Sequence, residues 1–188
     1  MRAFFAVLPP PEVLEHLAAH LEPRRDADTD RTWRWTRTHH LHLTLAFLAD
    51  LPDWTEEQLV ADAHEWAARQ EPVRMSWAGA GAFPDPGGAK VLWVGVAGEL
   101  ARSRLTAWSR GLRDLASHVG ADVDGQRFTP HVTVARSPRK VTAGRWVQAL
   151  DAYESPEFLI DQVALVQSHL GGPGRSVRYE VREAFPLG

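Results

Sequence analysis

Apolar and polar positions change period along this chain, and the changes mark its elements. Residues 2–8 are almost all apolar and read as a buried strand, stopped by Pro9, Pro10 and Pro11. Val13, Leu14, Leu17 and Leu21 then share one stripe, which predicts a helix over 12–21. Residues 22–31 are charged and read as a loop, and 33–35 as a short strand. From 40 to 48 the period is two, the mark of a strand. Thr55 and Gln58 have capping-box spacing ahead of Leu59, Ala63, Trp66 and Ala67, a second helix. Residues 73–83 read as a strand and 84–88 as a turn.

The order then starts again. A strand is predicted over 90–96 and a long helix over 98–119, with a stripe at Ala101, Leu105, Trp108, Leu112, Leu115 and Val119. A period-two strand follows at 128–135 and a helix at 141–150. Strands at 158–167 and 176–181 are joined across Gly171-Gly172-Pro173-Gly174. Both halves therefore run strand, helix, strand, helix, strand. The expectation is a single α+β domain of two pseudo-symmetric lobes, with repeat halves near 1–86 and 87–188. A pseudo-two-fold axis would bring equivalent strands together at the lobe boundary, a common place for a site.

The two period-two strands carry the candidate chemistry. One holds Leu41-His42-Leu43-Thr44-Leu45 and the other Pro130-His131-Val132-Thr133-Val134, with His131 placed 89 positions after His42. Alternation puts His and Thr on one face and aliphatic residues on the other. A bare His-x-Thr is weak evidence, because polar strand faces produce it by chance. Two copies at equivalent places in two similar halves are much stronger. Facing each other, they would give two imidazoles and two hydroxyls, suited to acid–base chemistry on a phosphate ester.

Composition narrows the classes. The 188 residues include no cysteine, which removes disulfides, thiolate metal ligands and thiol catalysis and suits a reducing cytoplasm. The net charge of −3 leaves any polyanion contact to a local patch. No apolar run reaches the roughly 20 residues that span a bilayer. The apolar N-terminus resembles a signal peptide faintly, but its run is short and prolines follow, so it reads as the first strand. Nothing in the sequence demands more than a monomer.

Rival sites are weaker. His39, His40 and His42 have no nearby carboxylate or cysteine to complete a metal set. Asp26, Asp28 and Asp30 imitate an EF-hand start, but Arg31 and Arg37 stand where glycine and glutamate are needed. His64-Glu65 lacks the second histidine of a zinc protease motif, and the 171–175 segment lacks the Lys-Ser/Thr of a phosphate loop.

The chain resembles the 2H phosphoesterases, which are named for two His-x-Thr-x motifs. Within them it is similar to the bacterial and archaeal RNA 2′,3′-cyclic phosphodiesterases, also called 2′-5′ RNA ligases. The resemblance covers nearly the whole chain. It rests on Arg2-Ala3-Phe4-Phe5-Ala6-Val7, on Trp35 before His42-Leu43-Thr44-Leu45-Ala46-Phe47-Leu48, and on Gly81-Ala82-Phe83-Pro84. It continues through Val91-Leu92-Trp93-Val94-Gly95-Val96, Phe128 to Arg136, Leu165-Val166-Gln167-Ser168 and Tyr179-Glu180. The resemblance implies a two-lobed fold with an antiparallel sheet in each lobe, helices on the outer faces and a cleft between them.

It also implies opening of RNA 2′,3′-cyclic phosphate ends to 2′-phosphomonoesters, with His42 as general acid and His131 as general base. In the ligation-like reverse direction the roles exchange. Thr44 and Thr133 are expected to donate to the non-bridging oxygens, and Arg136 to supply the cation. Strict alternation turns Arg136 away from His131 and Thr133, so that role needs the strand to end or bulge there. Two histidines handle both protons, so no metal or cofactor is implied. Phe5, Trp35 and Phe128 are candidates to hold the base, and core packing is the plainer reading for each. Many relatives carry a basic residue where this chain has Ala46, and glycine is more usual within Leu48-Ala49-Asp50. A cleft that binds nucleotide or RNA ends without turnover is the alternative. Related substrates, 2′-5′-linked oligonucleotides or ADP-ribose cyclic phosphate, are not separated by the motifs.

Overall fold

The computed structural model describes residues 1–171 and 177–188. The turn expected at Gly172-Pro173-Gly174, Arg175 and the start of the strand expected from 176 lie outside the described residues.

The chain runs β1 (Ala3–Val7), α1 (Pro11–Ala27), β2 (Arg34–Trp35), a 3-10 turn (Thr38–His40), β3 (Leu43–Asp50), a second 3-10 turn (Asp53–Thr55) and α2 (Glu56–Ala67). It continues with β4 (Val73–Met75), β5 (Trp77–Phe83), β6 (Ala89–Val96), α3 (Glu99–His118), β7 (Asp122–Val123) and β8 (His131–Val141). Last come α4 (Gly144–Asp151), β9 (Phe158–Ile160), β10 (Gln162–His169) and β11 (Arg178–Pro186). A five-stranded sheet has the order β11-β10-β1-β3-β7, and a four-stranded sheet the order β2-β8-β6-β5. The pairings within both are antiparallel. β4 and β9 form a separate two-stranded ribbon.

The architecture is the α+β class that the periodicity predicts and the two antiparallel sheets that the resemblance implies, with four helices among the described residues and the motif strands β3 and β8 in different sheets. The sheets interleave in sequence. The first takes β10 and β11 from the C-terminal end, and the second takes β2 and β5 from before residue 86. A cut near 86 thus divides the sequence pattern but not the two sheets. The equivalent strands also sit two positions closer than the motifs. Val7 faces Leu43 and Val94 faces Val132, an offset of 87 for β1 and β6 against 89 for the motif strands.

Local signals place the helices. Pro11 opens α1 at the position where a missing N–H costs nothing. The expected charged loop from residue 22 is helical as far as Ala27, despite Pro23. The arginines explain it, because tertiary anchors hold the last turn. Arg24 donates to the carbonyls of His20 and Ala149, and Arg25 to that of Thr36. α3 buries Ala101, Leu105, Trp108, Leu112 and Ala116 and packs on β3 and β7. α4 packs on β5 and β6. Burying such a leucine or aromatic fully is worth roughly 1.5–3 kcal/mol.

Several predicted strands have different bounds, and β11 runs on to Pro186 rather than stopping at 181. The run 73–83 splits into β4 and β5, and 158–167 into β9 and β10, because the first part of each pairs in the ribbon and the rest in a main sheet. β8 runs on to Val141, so α4 begins only at Gly144.

Candidate active site

Each motif strand contains a bulge immediately after its threonine. In β3, Thr44 faces Ala6 and Ala46 faces Phe5, so Leu45 is an extra residue. In β8, Thr133 faces Trp93 and Ala135 faces Leu92, so Val134 is extra. The bulge reverses the alternation. Leu45 and Ala46 are both buried, as are Val134 and Ala135, and the next residue of each strand returns to the polar face. The two bulged carbonyls find different partners, a side chain of α3 for Leu45 and the backbone just past β2, in the same sheet, for Val134. Ser109 Oγ donates to the Leu45 carbonyl at 2.6 Å. The Thr36 N–H donates to the Val134 carbonyl at 2.9 Å.

This device brings Arg136 onto the face of His131 and Thr133. The equivalent residue in β3 is Phe47, which lies on the face of His42 and Thr44. Ala46 therefore is not on the cleft face, as alternation predicts, but in the core at 1 % exposure.

A cavity of about 250 Å³ collects His42, Thr44, His131, Thr133 and Arg136, all five of the expected site residues. Arg2, Phe4, Thr36, His40, Phe47, Ser168 and Tyr179 complete its wall. A second cavity continues beyond Thr44, Phe47, His131, Thr133 and Arg136 toward Phe83, Arg113 and Phe128.

Both imidazoles are held in the same way. Nδ1 of His42 donates to the His40 carbonyl at 2.7 Å, and Nδ1 of His131 to the Thr129 carbonyl at 2.6 Å. A carbonyl only accepts, so each Nδ1 carries the proton and each Nε2 is left as the working atom. In His42 that Nε2 accepts from Thr44 Oγ1 at 3.1 Å. Phe4 stacks on the His42 ring with centroids 4.7 Å apart, and Tyr179 meets it edge-on at 5.4 Å. Burial pushes the His42 pKa down to about 4, against the His40 carbonyl bond, which raises it; the neighbouring His40, Arg136 and His131 add to the lowering. Burial also lowers the His131 pKa, with Arg136 contributing and the Thr129 carbonyl opposing. At pH 7 the ligand-free cleft therefore holds neutral rings, and an anion is what would favour protonating one of them.

The first lobe also brings a cation to the cleft. The Arg2 guanidinium lies over the Phe47 ring, 4.5 Å from its centroid. Periodicity assigned Arg2 to a buried strand and gave no sign of this. Tyr179 was legible only as part of the resemblance.

Other candidates fall elsewhere. Phe5 is wholly buried. Trp35 meets Trp146 edge-on and donates Nε1 to Asp28, so it braces α1 rather than lining the cleft. Phe128 does line the second cavity. His40 is half-buried at the cavity wall, with its ring 4.7 Å from that of Tyr179. Asp28 accepts from the N–H groups of Thr32 and Trp33, a loop-fixing role. Gly81 matters by its size, because a Cβ there would stand 2.1 Å from the Trp93 ring, which packs beside His131.

The chain is 34% identical over its whole length to a Thermus thermophilus protein named RNA 2′,3′-cyclic phosphodiesterase, spanning 90% of that relative. It is 31% identical to one of the same name from Aeropyrum pernix, over 84% of this chain and 90% of the relative. Its fold matches a solved Thermus thermophilus structure with a TM-score of 0.78 at 31% identity, covering 100% of this chain and 98% of that one. It also matches E. coli LigT bound to 3′-AMP, at a TM-score of 0.76 and 24% identity, covering 99% and 97%, a likeness of fold. The sequence model of the 2′-5′ RNA ligase superfamily matches residues 9–172, and the chain belongs to that superfamily.

Proposed function

We propose that this protein opens RNA 2′,3′-cyclic phosphate ends to 2′-phosphomonoesters by acid–base catalysis with two histidines. One observation carries the reading: both Nδ1 atoms are tied to carbonyls, which leaves two Nε2 atoms facing one small cavity that also holds Arg136. Relatives named RNA 2′,3′-cyclic phosphodiesterase support the substrate.

Water attacks phosphorus from one side and the 3′-oxygen leaves on the other. His131 Nε2 takes the proton from water, and His42 Nε2 gives one to the 3′-oxygen. Each group contributes about 10²–10⁴ in rate. The phosphate anion raises the pKa of both rings, which lets His42 hold its proton in the complex. Thr44 turns its hydroxyl from His42 to a non-bridging oxygen, and Thr133 donates to the other. Arg136 and Arg2 flank the phosphate and stabilise the charge that grows in the transition state. The protein acts as a monomer in the cytoplasm on this reading.

The test is hydrolysis of an RNA with a 2′,3′-cyclic end in EDTA, for wild type, His42→Ala and His131→Ala. A product that resists a 3′-specific phosphatase, with both variants inactive, is expected. Wild-type activity lost in EDTA, or binding without turnover, would refute the mechanism.

A further inference from the structure

The cleft does not end at the second cavity. Arg127, Phe128 and Thr129 line that cavity and also a third, which runs on over Arg102, Thr106 and Arg110 of α3. The two cavities adjoin at these three residues, between the paired histidines and the outer face of α3.

Its chemistry is lopsided for a chain of net charge −3. Arg102, Thr106, Arg110 and Arg113 recur at the spacing of one helix face, opposite the buried Ala101, Leu105, Trp108 and Leu112. Arg113 donates to the Gln126 carbonyl at 2.7 Å, which fixes the loop bearing Arg127 beside the helix. Among the described residues Arg110, Arg113 and Arg127 have no carboxylate partner, whereas Arg74, Arg102, Arg104 and Arg182 each have one. Two carboxylates line the same stretch. Glu99 pairs with Arg102, and Asp124 accepts from the Gln126 N–H. Against the Asp124 carboxylate, three arginines without an ion-pair partner leave an excess of two positive charges around a half-buried phenylalanine, Phe128.

We propose that single-stranded RNA leaves the cleft along a groove over these adjoining cavities. The strand 5′ to the cyclic end lays its phosphates on Arg113, Arg127 and Arg110 and stacks a base on Phe128. The proposal rests on the phosphodiesterase reading and selects within it polymeric RNA over a cyclic mononucleotide. An acidic peptide would satisfy the arginines, but Phe128 among them and a phosphate cleft next to them suit a base and a backbone. The α3 face from Arg113 to Arg102 is about 16 Å long, roughly four to five stacked nucleotides.

The test compares adenosine 2′,3′-cyclic phosphate with a short oligoribonucleotide carrying the same end, for wild type and Arg110→Gln/Arg127→Gln. Both arginines are exposed, so the fold should tolerate the change. Expected is a fall of about tenfold in kcat/KM for the oligonucleotide at low salt, with the mononucleotide within about twofold. The slope of log affinity against log salt should shrink by about 1.4, at roughly 0.7 per lost phosphate contact on a single strand. Equal kcat/KM for the oligonucleotide, or equal losses on both substrates, would overturn the groove. Binding of a 2′-phosphorylated oligonucleotide, read by anisotropy, separates this from the catalytic reading. If wild type turns over neither substrate but the variant binds the oligonucleotide about tenfold more weakly, the groove stands and the phosphodiesterase reading falls. Polyglutamate displacing the oligonucleotide as well as an unmodified RNA does would overturn the RNA assignment.

Discussion

β3 and β8 build the same backbone and deliver different third residues. Each has a histidine clamped by the carbonyl two residues earlier, a threonine, and a bulge directly after it. After the bulge β3 presents Phe47 and β8 presents Arg136. Their cross-strand neighbours diverge too, because Phe4 faces Phe47 and Val91 faces Arg136. Both imidazoles sit among aromatic rings, but the packing differs: Phe4 stacks on His42 with Tyr179 edge-on, whereas Phe83 meets His131 edge-on and Trp93 lies tilted beside it. Of the two histidines, only His131 also borders the second cavity. The lesson is that a symmetric scaffold can hold two chemically distinct imidazoles. Geometry is copied, and the residue after the bulge and the rings around each imidazole are what differ.

The largest expected effect treats the two sides alike. His42→Ala and His131→Ala should each lower kcat by about 10²–10⁴. The pH profile then separates them. His42 sits at about 4 in the free protein, and burial and Arg136 lower His131 as well. kcat/KM depends on the free protein, which needs one ring protonated and the other neutral. Above both values that population falls about tenfold per pH unit, so kcat/KM should decline through neutrality. kcat should keep a higher optimum, because bound phosphate raises both rings. A kcat/KM flat from pH 5 to 8 would sink His42 as the proton donor.

Arg136→Gln comes next. A charge-assisted contact is worth about 1.5–3 kcal/mol, roughly 10- to 150-fold in kcat/KM. Arg136 lowers both histidines, so its removal should also move the kcat/KM profile to higher pH. A loss of activity with an unmoved profile would place Arg136 outside the electrostatics of the cleft. Thr133→Val should cost about two- to tenfold, in line with one neutral hydrogen bond, with Thr133→Ser close to wild type. Equal losses for Val and Ser would point to packing instead.

Much of this site is legible in the sequence. Spacing and alternation place His42, Thr44, His131 and Thr133 on inward faces of equivalent strands, because period two is a local property of the chain. The bulges were not legible in the same way. Arg136 carried a visible conflict with alternation, and that conflict was the signal of the bulge. Leu45-Ala46-Phe47 carries none, since all three residues are apolar, so alternation alone puts Ala46 on the cleft face and only the bulge turns it into the core. Interleaving of the sheets was hidden because pairing of β1 with β10 joins residues more than 150 positions apart. The helical turn around Pro23 contradicted propensity and depends on arginine bonds to Ala149 and Thr36, which no local pattern encodes.

The smallest effect is the sharpest test of the asymmetry. If the first lobe replaces an Arg136-like residue by Arg2 seated on Phe47, the pair should behave as a unit. Arg2→Gln should raise KM by several-fold, less than Arg136→Gln, since Arg2 is exposed and well hydrated. Phe47→Leu keeps an apolar residue but removes the ring face. A cation–π contact at an exposed site is worth about 0.5–1 kcal/mol, so KM should rise roughly two- to fivefold. In the double variant the Phe47 change should cost almost nothing more, because its effect on phosphate runs through Arg2. Additive losses would show instead that Phe47 touches the substrate itself, and the first lobe would then offer the phosphate no seated cation.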